Sequence, residues 1–240
     1  IVMEDADRDL ALEVVIWGAY GTTGQRCTAT SRLIIHEDVE DTFIQMIQEE
    51  ARDLTLGSGL DEGTDVGPVI NEDALEKIGR YVQEGTDAGA ELLFGGERAT
   101  DGALADGCFF HPTLFRGVER DMSIFQEEIF GPVLSVHTIS SYEEAAEAAN
   151  DTVYGLSSSI YTNNVARAFR AMHDLEAGIT YVNGPTIGAE AHMPFGGVKD
   201  TGNGHRDGGW EVFEFYTETK TVYVDYSGQL QKAQIDNVED

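Results

Sequence analysis

The chain has 240 residues, 44 of them acidic and 15 basic, for a formal net charge of −29. With 41% hydrophobic and 9% aromatic residues it can bury a substantial core, in one large domain or two small ones, so a disordered chain is excluded. So acidic a surface repels phosphate backbones and anionic lipid, and no run approaches the roughly 18 apolar residues of a membrane span; nucleic acid and membranes are not expected partners.

The opening residues, Ile1-Val2-Met3-Glu4-Asp5, read as neither a secretory signal nor a basic transit sequence, which points to the cytoplasm. The first helix is predicted over 5–17, with Leu10, Val14 and Trp17 on one face. A strand follows at 32–36. The helix over 38–54 repeats Val39, Phe43, Ile44, Ile47, Ala51 and Leu54 at a 3.6-residue period. A third helix starts after Asn71 and carries Leu75, Ile78 and Val82. Strands are predicted at 91–94, around 110–115 and at 133–139. Ser141 followed by Glu144 forms a capping box for an alanine-rich helix ending near Asn150. A strand at 156–162, a helix bearing Val165, Phe169 and Met172, and a strand at 179–183 complete the alternation. A β-branched and aromatic run, 221–226, closes the ordered part; the polar residues after it are expected to fray. Strands alternating with long helices argue for an α/β fold with a largely parallel sheet flanked by helices.

Asp and Glu are dispersed from Glu4 to Asp240 instead of gathered in an acidic tail, and only four of the 15 basic residues are lysine. That pattern suits a salt-rich, halophile-like cytoplasm, where screening relieves self-repulsion; an ordinary acidic protein is the plainer reading. Six histidines and two cysteines show no metal-ligand spacing, so no metal site is expected.

The most unusual stretch is Gly18-Ala-Tyr-Gly21-Thr-Thr-Gly24-Gln25-Arg26-Cys27-Thr28. Glycines at spacing three let the backbone turn tightly and approach a substrate between a helix and a strand. Cys27 beside Arg26 is a candidate nucleophile, because a nearby positive charge favours the thiolate. A lone cysteine is also commonly a small core residue, a role that suits Cys108, flanked by Gly107 and Phe109, better. Gly57-Ser-Gly59 and Gly202-Asn-Gly204 resemble pieces of a dinucleotide fingerprint but read as turns, and Glu127-Glu128 by itself reads as a solvated charge pair.

Taken together, the motifs carry more. Gly24-Gln25-Arg26-Cys27-Thr28 with the strand after it resembles the active-site cysteine segment of the aldehyde dehydrogenase superfamily. Glu127-Glu128-Ile129-Phe130-Gly131-Pro132-Val133 is similar to its cofactor-contacting segment. Pro194-Phe195-Gly196-Gly197-Val198-Lys199 and Gly202-Asn-Gly204-His-Arg206 resemble its C-terminal signature, Asn183 ends the preceding strand as the family's Val-Asn does, and Gly67-Pro68 matches in place.

The resemblance implies an aldehyde dehydrogenase catalytic domain over 1–220, and over 221–240 an oligomerisation strand and polar tail, with homodimers or homotetramers of the full-length protein. Cys27 is then the nucleophile, passing through a thiohemiacetal and a thioester to the acid. NAD or NADP is the implied cofactor. Glu128 and Phe130 are expected at its nicotinamide end, with Lys77 also reaching the ribose. Arg26, Thr28 and Phe195 are expected to shape the substrate pocket, together with the loop 184–192. The combination looks closest to members that oxidise semialdehydes such as 2-oxoglutarate semialdehyde, and Arg26 is the nearest base to face a substrate carboxylate. The family's dinucleotide-binding domain and its water-activating glutamate have no counterpart in these 240 residues, so the chain is expected to be a fragment, inactive alone. The alternative is a non-catalytic scaffold or subunit-interaction protein that keeps the fold.

Overall fold

A computed structural model describes residues 1–230. Four strands, β1 (Arg32–His36), β2 (Glu91–Phe94), β3 (Thr113–Arg116) and β4 (Val133–Ile139), form a sheet in the order β1-β4-β3-β2. β1 pairs with β4 and β3 with β4 in parallel; only β2 runs antiparallel, on β3. A second, two-stranded parallel sheet joins β5 (Ser157–Ile160) to β6 (Ile179–Val182).

Residues 1–3 unite the two. Val2 bridges to Ile35 on one side and to Tyr161 on the other, both in parallel. Its N–H donates to Ile34 at 2.8 Å, and the Met3 N–H donates to Tyr161 at 3.1 Å. The whole is one mostly parallel surface running β6-β5-(1–3)-β1-β4-β3-β2, with β2 alone antiparallel, and this central strand has no counterpart among the elements expected from sequence.

Side chains of a strand alternate between faces, and the core divides accordingly. Val2, Leu33, Ile35, Leu114, Leu134, Val136 and Tyr161 pack on one face under α1 (Arg8–Tyr20) and α2 (Glu37–Arg52). Met3, Ile34, Phe115, Val133 and Ile160 lie on the other. There they meet α3 (Glu72–Asp87), α4 (Ser123–Gln126), α5 (Tyr142–Asn150) and α6 (Val165–Asp174). The architecture is α/β with a mostly parallel sheet between helices, as the alternation predicts.

Helix starts follow local chemistry. Asp7, Asn71 and Asn164 each accept a backbone N–H three residues on. Ser141 accepts from Glu144, and the Glu144 carboxylate returns to the Ser140 N–H at 2.7 Å, one residue earlier than the usual reciprocal box.

Two helices bury a different face from the one their large residues mark. In α1, Ala11, Val15, Ile16, Ala19 and Tyr20 are buried while Leu10 and Trp17 are turned out. In α6, Ala168 and Ala171 face the core, and Val165, Phe169 and Met172 are exposed. The buried face is built of small residues in α6, whereas in α1 it mixes alanines with Val15, Ile16 and Tyr20.

After β6 the chain runs through loops to α7 (Glu211–Tyr216). The run 221–226 pairs with no strand among the described residues, and Tyr223 and Tyr226 are 93% and 95% exposed. The fraying expected beyond it falls largely on 231–240, outside the described residues.

Candidate active site

Cys27 lies in a tight turn between α1 and β1, closed by the Ala29 N–H on the Arg26 carbonyl at 3.0 Å, and its side chain is exposed. Hydrogen bonds on two sides fix that turn. The Thr23 hydroxyl donates to the Gly67 carbonyl at 3.0 Å. The Gln25 amide donates to the Pro68 carbonyl at 3.2 Å and accepts from the Ile70 N–H at 2.9 Å. On the other side the Thr186 hydroxyl donates to the Thr28 carbonyl at 2.8 Å and lies 3.1 Å from the Thr30 hydroxyl. Gly24, at φ +64°, completes the fixture: a Cβ there would stand 1.9 Å from the Gly131 carbonyl oxygen. Gly67-Pro68 is therefore a brace for the cysteine turn, and the loop 184–192 reaches it through Thr186.

The segment 127–131 is held from α3. The Lys77 ammonium donates to the Glu128 backbone carbonyl at 2.8 Å, and the Tyr81 hydroxyl donates to the Glu127 carboxylate at 2.6 Å. Burial, and then the Glu127 carboxylate, push the Tyr81 phenol up to about 12. Phe130 adopts φ +57°, an unusual conformation for a residue with a side chain, and stays 38% exposed. That geometry leaves its ring free on the surface instead of in the core.

Cys27 and Glu128 line a single cavity of about 340 Å³. Its walls include Arg32 at the start of β1, Tyr154 and Thr186. The Arg32 guanidinium donates to the Phe125 carbonyl at 2.9 Å. Burial lowers its pKa below the ordinary guanidinium value, opposed by the charges of Tyr154 and Glu128.

Of the residues singled out in the sequence, the structure brings Cys27, Glu128 and Lys77 into one connected arrangement. Arg26, Thr28 and Phe195, expected in the substrate pocket, are not among the residues that line this cavity. Arg26 is exposed, with its guanidinium 5.8 Å from the Trp17 ring centroid; it neither lines the cavity nor pairs with a carboxylate among the described residues. Thr28 is buried and engaged through its carbonyl. Phe195 is partly buried in a two-way backbone bridge with Asp207. The arginine among the cavity's lining residues is Arg32, the first residue of β1. An arginine opening an otherwise apolar strand was the available signal.

Asn183, at φ +52°, closes the end of β6 by exchanging side-chain hydrogen bonds with the Thr162 backbone, at 3.0 and 3.1 Å. Gly202 and Gly204 sit in bends at positive φ, as turns require, and Cys108 packs partly buried against the core.

Comparison with known proteins matches these features to one family. The family model described as "Aldehyde dehydrogenase family" matches residues 1–222. An alpha-ketoglutaric semialdehyde dehydrogenase of Bacillus subtilis is 39% identical over 224 residues, covering 93% of this chain and 46% of the relative. An alpha-ketoglutarate semialdehyde dehydrogenase of Haloferax volcanii is 41% identical over 227 residues, covering 94% and 47%. The crystal structure of betaine aldehyde dehydrogenase from Staphylococcus aureus in complex with NAD+ superposes with a TM-score of 0.92 at 33% identity. That match covers 97% of this chain and 46% of that one. The chain thus spans about half the length of the relatives it matches, and it belongs to the aldehyde dehydrogenase family.

Proposed function

We propose that this chain supplies the nucleophile and the nicotinamide-end contacts of an enzyme that oxidises an aldehyde to a carboxylic acid with NAD or NADP. The observation that carries the reading is the shared cavity: an exposed cysteine on a braced turn opens into the same space as Glu128. The residues present fit the cofactor. A carboxylate suits ribose hydroxyls, its backbone is anchored by Lys77, and the exposed Phe130 ring gives a flat apolar surface nearby.

In this reading the Cys27 thiolate adds to the aldehyde carbon and forms a thiohemiacetal. The Cys27 N–H has no backbone acceptor among the described residues and is a donor for the developing oxyanion. The nicotinamide, when bound, accepts the hydride from the former aldehyde carbon. The remaining thioester is hydrolysed by water, which releases the acid and restores the thiol. Glu128, with Lys77 anchoring its backbone, would hold the ribose end of the bound cofactor, which would supply the hydride acceptor.

Both curated relatives carry names of semialdehyde dehydrogenases, which favours a substrate with a carboxylate at its far end. Arg32, one of the residues that line the cavity, takes the place of the exposed Arg26 in this reading as the group to meet it. The exposed run 221–226 supports self-association into a homodimer or homotetramer, since an alternating β-branched strand with free edges is suited to pairing with another subunit. The dispersed acidic surface suits a salt-rich cytoplasm.

The 240 residues alone are expected not to turn over aldehyde. The test compares reduced-nicotinamide formation by this chain with that by the same chain joined to a family amino-terminal half. The joined form is expected to be active and its Cys27→Ala variant inactive. Steady turnover by the 240 residues alone, or by the alanine variant, contradicts the reading.

A further inference from the structure

Asparagine followed by glycine is the step at which a side-chain amide most readily reacts with its own backbone, because glycine has no Cβ to crowd the attacking nitrogen. The chain has two such steps, Asn183-Gly184 and Asn203-Gly204. The fold treats them in opposite ways.

Asn183 is locked. Its Oδ1 accepts from the Thr162 N–H at 3.0 Å, and its Nδ2 donates to the Thr162 carbonyl at 3.1 Å. The Asn183 N–H donates to the Ile160 carbonyl at 2.9 Å, and the Gly184 carbonyl accepts from the Ser159 and Tyr161 hydroxyls at 2.6 and 2.7 Å. Turning the side-chain carbon towards the Gly184 nitrogen means breaking the pair with Thr162.

Asn203 is free to turn. It is exposed between Gly202 at φ +77° and Gly204 at φ +91°, and a Cβ on either glycine would meet nothing within 4 Å. Neither its Nδ2 nor the Gly204 N–H has an acceptor among the described residues. Its Oδ1 accepts from the His205 N–H at 3.1 Å. That bond folds the side chain back over the intervening peptide and polarises the side-chain carbonyl, which favours attack on its carbon.

Both ends of this loop are pinned. The Thr201 hydroxyl accepts from the Gly155 N–H at 3.0 Å, and Asp207 exchanges two backbone hydrogen bonds with Phe195. His205 and Arg206 press on Gly196, where a Cβ would lie 2.8 Å from the His205 carbonyl oxygen and from the Arg206 Cδ. A change of main-chain length between 201 and 207 therefore falls on these contacts.

We propose that Asn203 is a self-modifying site, converted in the folded protein to aspartate and isoaspartate, and that the isoaspartate form loosens the Phe195–Asp207 bridge. The Gly204 nitrogen gives up its proton to solvent base and attacks the Asn203 side-chain carbonyl carbon. The new C–N bond forms as the bond to Nδ2 breaks, and Nδ2 takes a proton from water and leaves as ammonia. Water then opens the succinimide ring at either carbonyl. One opening gives aspartate. The other gives isoaspartate, in which the main chain runs through the side chain and is longer by a methylene. The net change is water in and ammonia out, with no oxidant or cofactor, and a negative charge is added. Cys27 takes no part.

The test ages the folded 240-residue protein at mildly alkaline pH and follows acid formation by peptide mass. Trypsin places Asn183 in the peptide 171–199 and Asn203 in the peptide 200–206, each without another asparagine. Conversion at Asn203 is expected to run about tenfold or more faster than at Asn183 in the folded protein, and the two rates to converge in urea. The isoaspartate fraction, resolved by chromatography, is then compared with Asn203→Asp and with aged Asn203→Gln by amide exchange at Phe195 and Asp207. Exchange at both is expected to be several-fold faster in the isoaspartate form. It is unchanged in Asn203→Asp, which carries the charge on an ordinary main chain, and in Asn203→Gln, whose longer side chain closes a ring far more slowly. Conversion at Asn203 no faster than at Asn183 in the folded protein overturns the site. An isoaspartate form whose Phe195 and Asp207 amides exchange as before ageing overturns its link to the bridge.

Discussion

Gly24 and Gly131 meet backbone to backbone: a methyl group on Gly24 would lie 1.9 Å from the Gly131 carbonyl oxygen, and Gly24 is held at φ +64°. This is where the cysteine turn touches the segment that carries Glu128, so one contact sets the relative position of the two. Gly24→Ala is expected to cost about 2–4 kcal/mol. Roughly 1 kcal/mol comes from the left-handed backbone, and the rest from displacing a carbonyl that cannot rotate away. Urea unfolding measures the loss, and a change below about 0.5 kcal/mol would show that the two segments are not in contact.

Lys77 acts on the same segment through its backbone, by the 2.8 Å bond to the Glu128 carbonyl. Replacing it with methionine keeps most of the apolar stem and removes the donor. The bond is near solvent, so the expected stability loss is small, about 1 kcal/mol or less. The local effect is larger: amide exchange at Ile129 and Phe130 should quicken several-fold while the α3 amides are unchanged. Uniform acceleration across α3 as well would mean that Lys77 stabilises its own helix and not the loop.

Much of this arrangement was legible in the sequence, because strong periodicity decides it. β1, β4, α2 and α3 form where alternating or 3.6-residue patterns place them. The buried faces of α1 and α6 were not legible, because alanines carry part of the packing. Leu10 and Trp17 advertise a face of α1 that is in fact turned outward, while Ala11 and Ala19 lie against the sheet. Residues 1–3 were too few to show an alternation, yet Val2 and Met3 are almost wholly buried at the centre of the sheet. The site divides in the same way. Motifs singled out Cys27, Glu128 and Lys77, of which Cys27 and Glu128 line one cavity and Lys77 bonds to the Glu128 backbone. Which of two arginines lines the cavity depends on the exit direction of a tight turn, and no periodic pattern encodes that; Arg26 stays over Trp17 while Arg32 is among the lining residues.

A net charge of −29 makes self-repulsion a general destabilising term. The Debye length falls from about 10 Å at 0.1 M salt to about 3 Å at 1 M, so added salt removes most of it. Raising potassium chloride across that range is expected to stabilise the chain by about 2–3 kcal/mol, or roughly 5–10 °C in Tm at this size. Sodium chloride should act alike, because screening depends on ionic strength. A Tm that is flat or falls with either salt argues against a salt-adapted surface.

Arg167 of α6 joins the end of the central strand to the β5–α6 connection. Its guanidinium lies 2.6 Å from the Glu4 carboxylate and 2.8 Å from that of Asp5, which also accepts from the Thr162 hydroxyl at 2.7 Å. Burial alone would raise the Glu4 pKa. The hydrogen bond and charge of Arg167, together with a backbone hydrogen bond, outweigh it and hold the carboxyl below its ordinary value of 4.5. A carboxyl depressed in the folded state contributes stability that is fully present above pH 4.5 and is lost as pH falls through the lower, folded value. Arg167→Met should therefore cost about 1–2 kcal/mol at pH 7, modest because Glu4 keeps partial access to water. It should also flatten the fall in stability below pH 4.5, since Glu4 no longer differs as much between folded and unfolded chains. Denaturant unfolding at pH 7, 4.5 and 3.5 reads both effects. A loss of equal size at all three values would assign the role of Arg167 to packing of its stem, not to its pair with Glu4.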